Sequence, residues 1–354
     1  MLTPVLGLVY VGWHVWVLLP WAGVWKAIVI AAGVASFALL FYDVSGRLDG
    51  LPMPLARTLY DIGTSSIIVL LYLAMLFVIL DLGRLCGIVP RSWLYDNGWA
   101  AVGVTAVMLA IFAYGNWHYR HKERVELAIA SRKPLPRTYK VVMASDLHLG
   151  YGNGRKTLAQ WVELINREEP DLILIAGDIV DLSLRALRED NIAEEMRRLK
   201  APIYACLGNH EYYGGEAEAM EFYQAAGIHL LRDEAAEVDG ALVVIGRDDE
   251  TNRRRKPLDM LMSQVDTTKF VIVLDHQPHH LERAERAGVD FQLSGHTHHG
   301  QVWPGSWMTE WMYECAWGSH QRGQTQYYVS SGLGIWGGKY RIGTQSEYVV
   351  ASIR

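Results

Sequence analysis

The chemistry of this chain is concentrated in a few short stretches. "LSGHTHHGQ" (residues 293–301) carries three of the 13 histidines on one tight loop. Upstream, "SDLHLG" offers Asp146 and His148, "AGDIVD" offers Asp178 and Asp181, and "LGNHE" offers Asn209, His210 and Glu211. "VLDHQ" adds His276, and the histidine loop itself adds His296 and His298. One isolated histidine is commonly a structural residue, but a converging set is a candidate site. Imidazole and carboxylate together suit divalent transition ions such as Mn, Fe, Co or Zn, and the absence of thiolates argues against a structural zinc cluster. Seven such ligands are too many for one ion. Two ions about 3.5–4 Å apart, sharing a carboxylate, would clamp a phosphoryl group and acidify a bridging water.

Each cluster follows a strand-like run. "YKVVMAS", "DLILIAG", "PIYACLG", "ALVVIG", "KFVIVLD" and "FQLSG" read as buried strands. Between them, "RKTLAQWVELINRE", with Leu158, Trp161, Val162 and Ile165 at helical spacing, "EDNIAEEMRRLK" and "EAEAMEFYQAAG" read as helices. This alternation predicts an α/β domain, whose ligands gather beyond the carboxyl ends of the strands. The late runs "TQYYVSS" and "SEYVVASI" have no helix between them and predict a second, partly antiparallel sheet.

The N-terminal part has a different texture. Residues 1–118 hold only ten charged side chains, five of each sign, so the net charge of −5 belongs to the remainder. That mildly acidic remainder argues against nucleic acid as a partner. Four apolar runs, about 2–21, 24–42, 62–82 and 99–117, approach the roughly 20 residues a helix needs to cross a bilayer. Tryptophans at their ends suit interfacial anchors, and no basic stretch precedes the first run as a signal peptide would require. Arg47, Arg57, Arg120, Lys122, Arg124, Arg132, Lys133 and Arg137 fall on one side of such a bundle, against Lys26, Arg84 and Arg91 on the other. The excess predicts a multi-pass inner-membrane protein with its large domain in the cytoplasm. The expected divisions are a transmembrane domain at 1–118, a juxtamembrane linker at 119–138 ending in "SRKPLPRTY", and a catalytic domain at 139–354. Cys86, Cys206 and Cys315 are widely spaced and read as ordinary thiols.

The ordered blocks "DLH", "GDIVD", "GNHE", "H" and "GHTH" resemble the calcineurin-like metallophosphoesterase superfamily, whose pattern is D-x-H, G-D-x-x-D, G-N-H-[DE], H, G-H-x-H. The resemblance covers about 139–354. It implies a four-layer sandwich of two mixed sheets flanked by helices, here preceded by four transmembrane helices. It further implies that Asp146, His148 and His298 bind one ion, that Asn209, His276 and His296 bind a second, and that Asp178 bridges them. Two divalent ions are expected, manganese first, with iron, cobalt or zinc as alternatives. His210 would be the non-ligand acid that protonates the leaving oxygen or steadies the phosphate, with Asp181 and Glu211 orienting the ligands from behind. The chain looks most like membrane-anchored bacterial enzymes that end G-H-T-H-G-G-Q, and departs from them at His299. That ring either faces the substrate or lies in solvent.

Two segments bear on the substrate. "ETNRRRKP" places Arg253, Arg254 and Arg255 on one loop, as phosphate-binding forks or as a solvated basic turn. "WPGSWMTEWMYECAW" spaces Trp307 and Trp311, and Met308 and Met312, four apart; the strip is either core or a surface that dips among lipid headgroups. The expected function is a membrane-anchored hydrolase of a phosphodiester or pyrophosphate bond, using a metal-bridging hydroxide on an amphiphilic, lipid-linked substrate. A tethered nucleotide or cyclic-nucleotide phosphodiesterase, or a non-catalytic metal-stabilised sensor or scaffold, are the alternatives.

Overall fold

A computed structural model describes residues 2–354 and divides the chain into two compact units, 1–117 with 337–339, and 118–336 with 340–354. The first unit is helical. Gly23–Val44, Met53–Leu85 and Gly98–Arg120 are long and apolar enough to cross a membrane. The expectation of a fourth span is corrected: the first helix, Leu2–Leu18, has 17 residues and rises only about 26 Å, short of the ~30 Å hydrocarbon core. It stops there because the residue before a proline avoids the helical region, and Pro20 follows Leu19. Asp81 ties this helix to the third, accepting from Tyr10 Oη at 2.8 Å and lying 3.0 Å from His14 Nε2.

The second unit is a sandwich of two six-stranded mixed sheets. Its strands are β1 (Glu123–Ile129), β2 (Tyr139–Ala144), β3 (Leu172–Ala176), β4 (Ile203–Cys206), β5 (His229–Leu230), β6 (Glu234–Val238), β7 (Leu242–Gly246), β8 (Phe270–Leu274), β9 (Phe291–Ser294), β10 (Gly318–Arg322), β11 (Thr325–Val329) and β12 (Glu347–Ile353). The first sheet runs β1-β12-β2-β3-β4-β5 and the second β10-β11-β9-β8-β7-β6. β2, β3 and β4 are mutually parallel, as are β7, β8 and β9.

Alternation along the strands builds the layers, because successive side chains point to opposite faces. Val141 and Met143 of β2 join Leu172 and Leu174 of β3, Ile272 and Leu274 of β8 and Leu293 of β9 in the core between the sheets. Val142 and Ala144 face outward onto Leu158, Trp161, Val162 and Ile165 of the helix Arg155–Arg167. On the far side, Val243, Ile245, Val271 and Val273 pack under the short helices Leu258–Met262 and Glu282–Ala287. Strands covered on both faces read as unbroken apolar runs, which is how six of them were visible in the sequence.

Two expectations change. Within the expected linker 119–138, Glu123–Ile129 is β1, pairing in parallel with β12. Its half-exposed edge position dilutes the apolar pattern to "ERVELAI". The two late strands also part company. β11 pairs with β9 in the second sheet, whereas β12 enters the first between β1 and β2. β12 is buried along nearly its whole length, as an interior strand must be.

Candidate metal centre

The parallel strands β2, β3, β4, β8 and β9 end on one edge of the sandwich, and the turns beyond them carry the candidate ligands. Those turns are tight. Asp146 (φ 54°), His148 (44°), Asp178 (50°), His296 (69°) and His298 (48°) all adopt the left-handed region, which costs an L-residue about 1–2 kcal/mol. Clustered strain of this kind marks functional sites. The glycines of the same turns are required by close approach: a Cβ on Gly208 would collide with Asp178 Oδ1, and one on Gly295 with Asp146 Oδ2. The G in "GNHE" and the G in "GHTH" therefore make room for a carboxylate from a neighbouring strand end.

Two groups hold the expected ligands. Asp146, His148 and His298 each present an atom within 4.8 Å of the others, and so do Asp178, His276 and His296; His148, Asp181 and His210 form a third such cluster, sharing His148 with the first. Asn209 joins the second group, its Oδ1 lying 2.8 Å from His296 Nδ1. Asp178 sits between the groups, with Oδ2 3.1 Å from His276 Nε2 and 3.8 Å from His148 Nε2. His148 Nε2 and His298 Nε2 face each other at 3.1 Å, and His298 Nε2 is 3.4 Å from Asp146 Oδ1.

These donors fit divalent cations. His276 donates its Nδ1–H to the Ala176 carbonyl at 2.7 Å, which orients the ring and turns Nε2 towards Asp178; burial opposes its charge, but the Asp178 carboxylate raises it well above the ordinary imidazole range. That buried nitrogen has no hydrogen-bond partner and points at a carboxylate, an arrangement that wants either a proton or a metal ion between them. Burial drives His148 down to about 3 and His296 to about 4, and takes His298 well below the ordinary imidazole range. Neutral rings have lone pairs to give. Burial also pushes Asp146 up to about 6. It works against Asp178 as well, but the charges of His276 and His210 prevail and hold that carboxylate well below its usual range.

His210 is different. Its Nδ1 lies 3.2 Å from Asp181 Oδ1 and its backbone N–H donates to Asp178 Oδ1 at 2.9 Å. Burial opposes its charge, yet the carboxylates of Asp178 and Asp181 raise it to about 9, the direction that suits an acid. Glu211 lies beneath the site. It accepts the backbone N–H groups of Asp178, Ile179, Val180 and Gly208 at 2.6–3.1 Å and the Tyr223 hydroxyl at 3.0 Å, clamping the turn that aims Asp178.

The expected substrate residues divide. Arg255 is engaged internally, with Nη1 2.9 Å from Asp275 Oδ1 and Nη2 2.5 Å from Glu250 Oε1. It braces the turn before His276 in place of offering a free fork to phosphate, while Arg253 and Arg254 are exposed. His299 is half-buried: its Nε2 lies 2.9 Å from Glu310 and its ring stacks on Trp317 at 4.8 Å. Trp307 and Trp311 are 63% and 87% exposed on the helix Gly305–Met312, with Met308 and Met312 beside them, so the strip is surface and not core.

Arg341 escaped sequence reasoning. It is wholly buried, donates to the His298 carbonyl at 2.6 Å and to the Ser331 carbonyl, and so holds the histidine loop. A lone arginine in "KYRIGT" has no spacing that would announce this. Ser145, whose hydroxyl donates to Asp146 Oδ2, is equally silent in the sequence.

Residues 139–300 match the calcineurin-like phosphoesterase family. A metallophosphoesterase of Aquifex aeolicus is 32% identical over 258 residues, covering 70% of this chain and 97% of that protein. A Danio rerio transmembrane protein with metallophosphoesterase domain is 31% identical over 226 residues, covering 59% of this chain and 51% of its own length. Among solved structures, a 5'-nucleotidase precursor from Thermus thermophilus aligns with TM-score 0.41 and 15% identity, over 57% of this chain and 50% of that one.

Proposed function

We propose, from the premise that this chain belongs to the calcineurin-like phosphoesterase family, that this metal-dependent phosphoesterase hydrolyses a phosphodiester or pyrophosphate bond of an amphiphilic substrate at a two-ion centre. Asp178 carries the two-ion reading, because one carboxylate oxygen faces His276 of one ligand group and His148 of the other. Asp146, His148 and His298 would hold one ion, and Asn209, His276 and His296 the other, with Asp178 shared. This mixed nitrogen and oxygen set suits a divalent transition ion; manganese is proposed first, with iron, cobalt or zinc as alternatives. When bound, such ions supply positive charge for the phosphoryl oxygens and acidify water. The protein does the rest: Asp181 fixes the His210 ring, His210 gives its proton to the leaving oxygen, and Glu211 keeps the Asp178 turn in place.

The exposed Trp307–Trp311 strip supports an amphiphilic substrate. It begins a few residues after His298, and the chain carries membrane-length helices. Amphipathic aromatic surfaces of this kind settle among lipid headgroups. Replacing Trp307 and Trp311 together by serine should lower hydrolysis of a lipid phosphodiester in detergent by about tenfold or more, a loss of about 1.4 kcal/mol. A small water-soluble diester should be cleaved nearly as fast as before. Equal loss on both substrates would remove the case for a lipid.

The catalytic unit lies on the cytoplasmic side of the inner membrane in this reading. The charge comparison depends on only the three longer helices, so the shortness of the first leaves it unchanged. An alkaline phosphatase fusion at Arg354 should be inactive and a fluorescent protein fusion bright; the reverse pair would overturn the orientation.

A further inference from the structure

His210 has aromatic neighbours that the metal centre does not use. Tyr213 follows it by three residues on the helix Asn209–Gly214, which puts both side chains on one helical face. Its ring centre is 5.6 Å from that of His210, yet the residue is 62% exposed. Trp336 approaches the same imidazole, ring centres 6.4 Å apart, from the loop between β11 and β12. That loop is held against the first ligand turn, since the N–H of Gly334 donates to the Asp146 carbonyl at 3.0 Å. Trp336 is half-buried, and its indole nitrogen is buried without a hydrogen-bond partner. Both rings meet His210 at a tilt of 56–57° and leave Nδ1 to Asp181.

We infer that Tyr213 and Trp336 form the subsite for the leaving group and select an alcohol with an apolar, flat group close to the scissile oxygen. The inference rests on the phosphodiester reading and on the place of the His210 ring, whose Nδ1 faces Asp181 at 3.2 Å. If Asp181 occupies Nδ1, the leaving oxygen must come within hydrogen-bond reach of the other ring nitrogen. The first carbons attached to that oxygen would then come beside the Tyr213 and Trp336 rings, whose centres are 5.6 and 6.4 Å from that of His210. Ring faces at 4.5–7 Å reward aromatic and apolar partners, and neither side chain carries a charge to pair with an ionic alcohol. In the reaction, a P–O bond forms from water and the P–O bond to the alcohol breaks. The alcohol departs with the His210 proton, and the proton released by water recharges the imidazole. Trp307 and Trp311 belong to a different segment, near the histidine loop, so the two aromatic sets can serve different parts of one substrate.

A mixed diester, methyl 2-phenylethyl phosphate, tests this within one molecule, because its two alcohols have closely similar acidity. The full chain in detergent with Mn²⁺ should release 2-phenylethanol over methanol by about tenfold or more, the scale on which an apolar pocket discriminates. Tyr213→Ser with Trp336→Leu should bring that ratio close to one, with metal content unchanged. A variant that was merely damaged would lose both products together and keep the ratio. Wild-type release of the two alcohols in equal amounts, or a ratio untouched by the double substitution, would overturn the subsite. No release of either alcohol would instead overturn the phosphodiester reading, and the subsite with it.

Discussion

Asp178→Asn should fold normally and lose nearly all hydrolysis. The two oxygens of this carboxylate have separate duties. Oδ1 accepts the His210 backbone N–H at 2.9 Å, and an asparagine oxygen can take that bond without rearrangement. Oδ2 faces His276 and His148 from 3.1 and 3.8 Å, and there the variant presents an NH₂ group with no lone pair and no charge. Two cations sharing one ligand need its negative charge, so the loss should exceed the roughly 10–100-fold that removing an outer partner of a metal site costs. Steady-state turnover of a chromogenic diester at saturating Mn²⁺ checks the rate, and circular dichroism checks the fold. Activity within a few-fold of wild type would mean that Asp178 does not join the two groups.

His210→Ala should slow turnover by about 10²–10⁴-fold, as loss of an acid–base group does, and keep its metal. The ring touches Asp181 and lies edge-on to His148 at 4.5 Å, but it belongs to the chain's backbone contact with Asp178 only through its N–H, which alanine retains. Substrates whose alcohol leaves without a proton, such as nitrophenyl esters, should suffer least. Metal analysis beside the kinetics separates the alternatives: a variant that also loses an ion would make His210 a ligand.

The candidate ligands were legible because each follows its strand directly, and a strand end is where a parallel sheet presents chemistry. The unbroken apolar runs gave β2, β3, β4, β7, β8 and β9 for the same physical reason, burial on both faces. What went unread depends on contacts distant in the chain. β1 is a strand only because β12, more than two hundred residues later, lies beside it. Arg341 reaches back to the His298 carbonyl, and Trp336 comes to His210 from a loop with no periodicity. Arg255 reads from its spacing as a phosphate fork or a solvated basic turn, and its pairing with Asp275 and Glu250 is a contact that spacing does not show. The first apolar run looked long enough to span because composition does not show where Pro20 stops the helix. The openness of Trp307 and Trp311 was beyond periodicity, since a strip at helical spacing reads alike whether it is buried or bare.

The metal content of the full-length chain is the most direct test of the account. Protein purified without chelator from Mn²⁺-replete cells, and assayed by elemental analysis against its amino-acid composition, should carry two transition-metal ions per chain. Two groups of ligands that share Asp178 predict that number whatever the substrate proves to be. A stoichiometry of one ion or none under those conditions would contradict it.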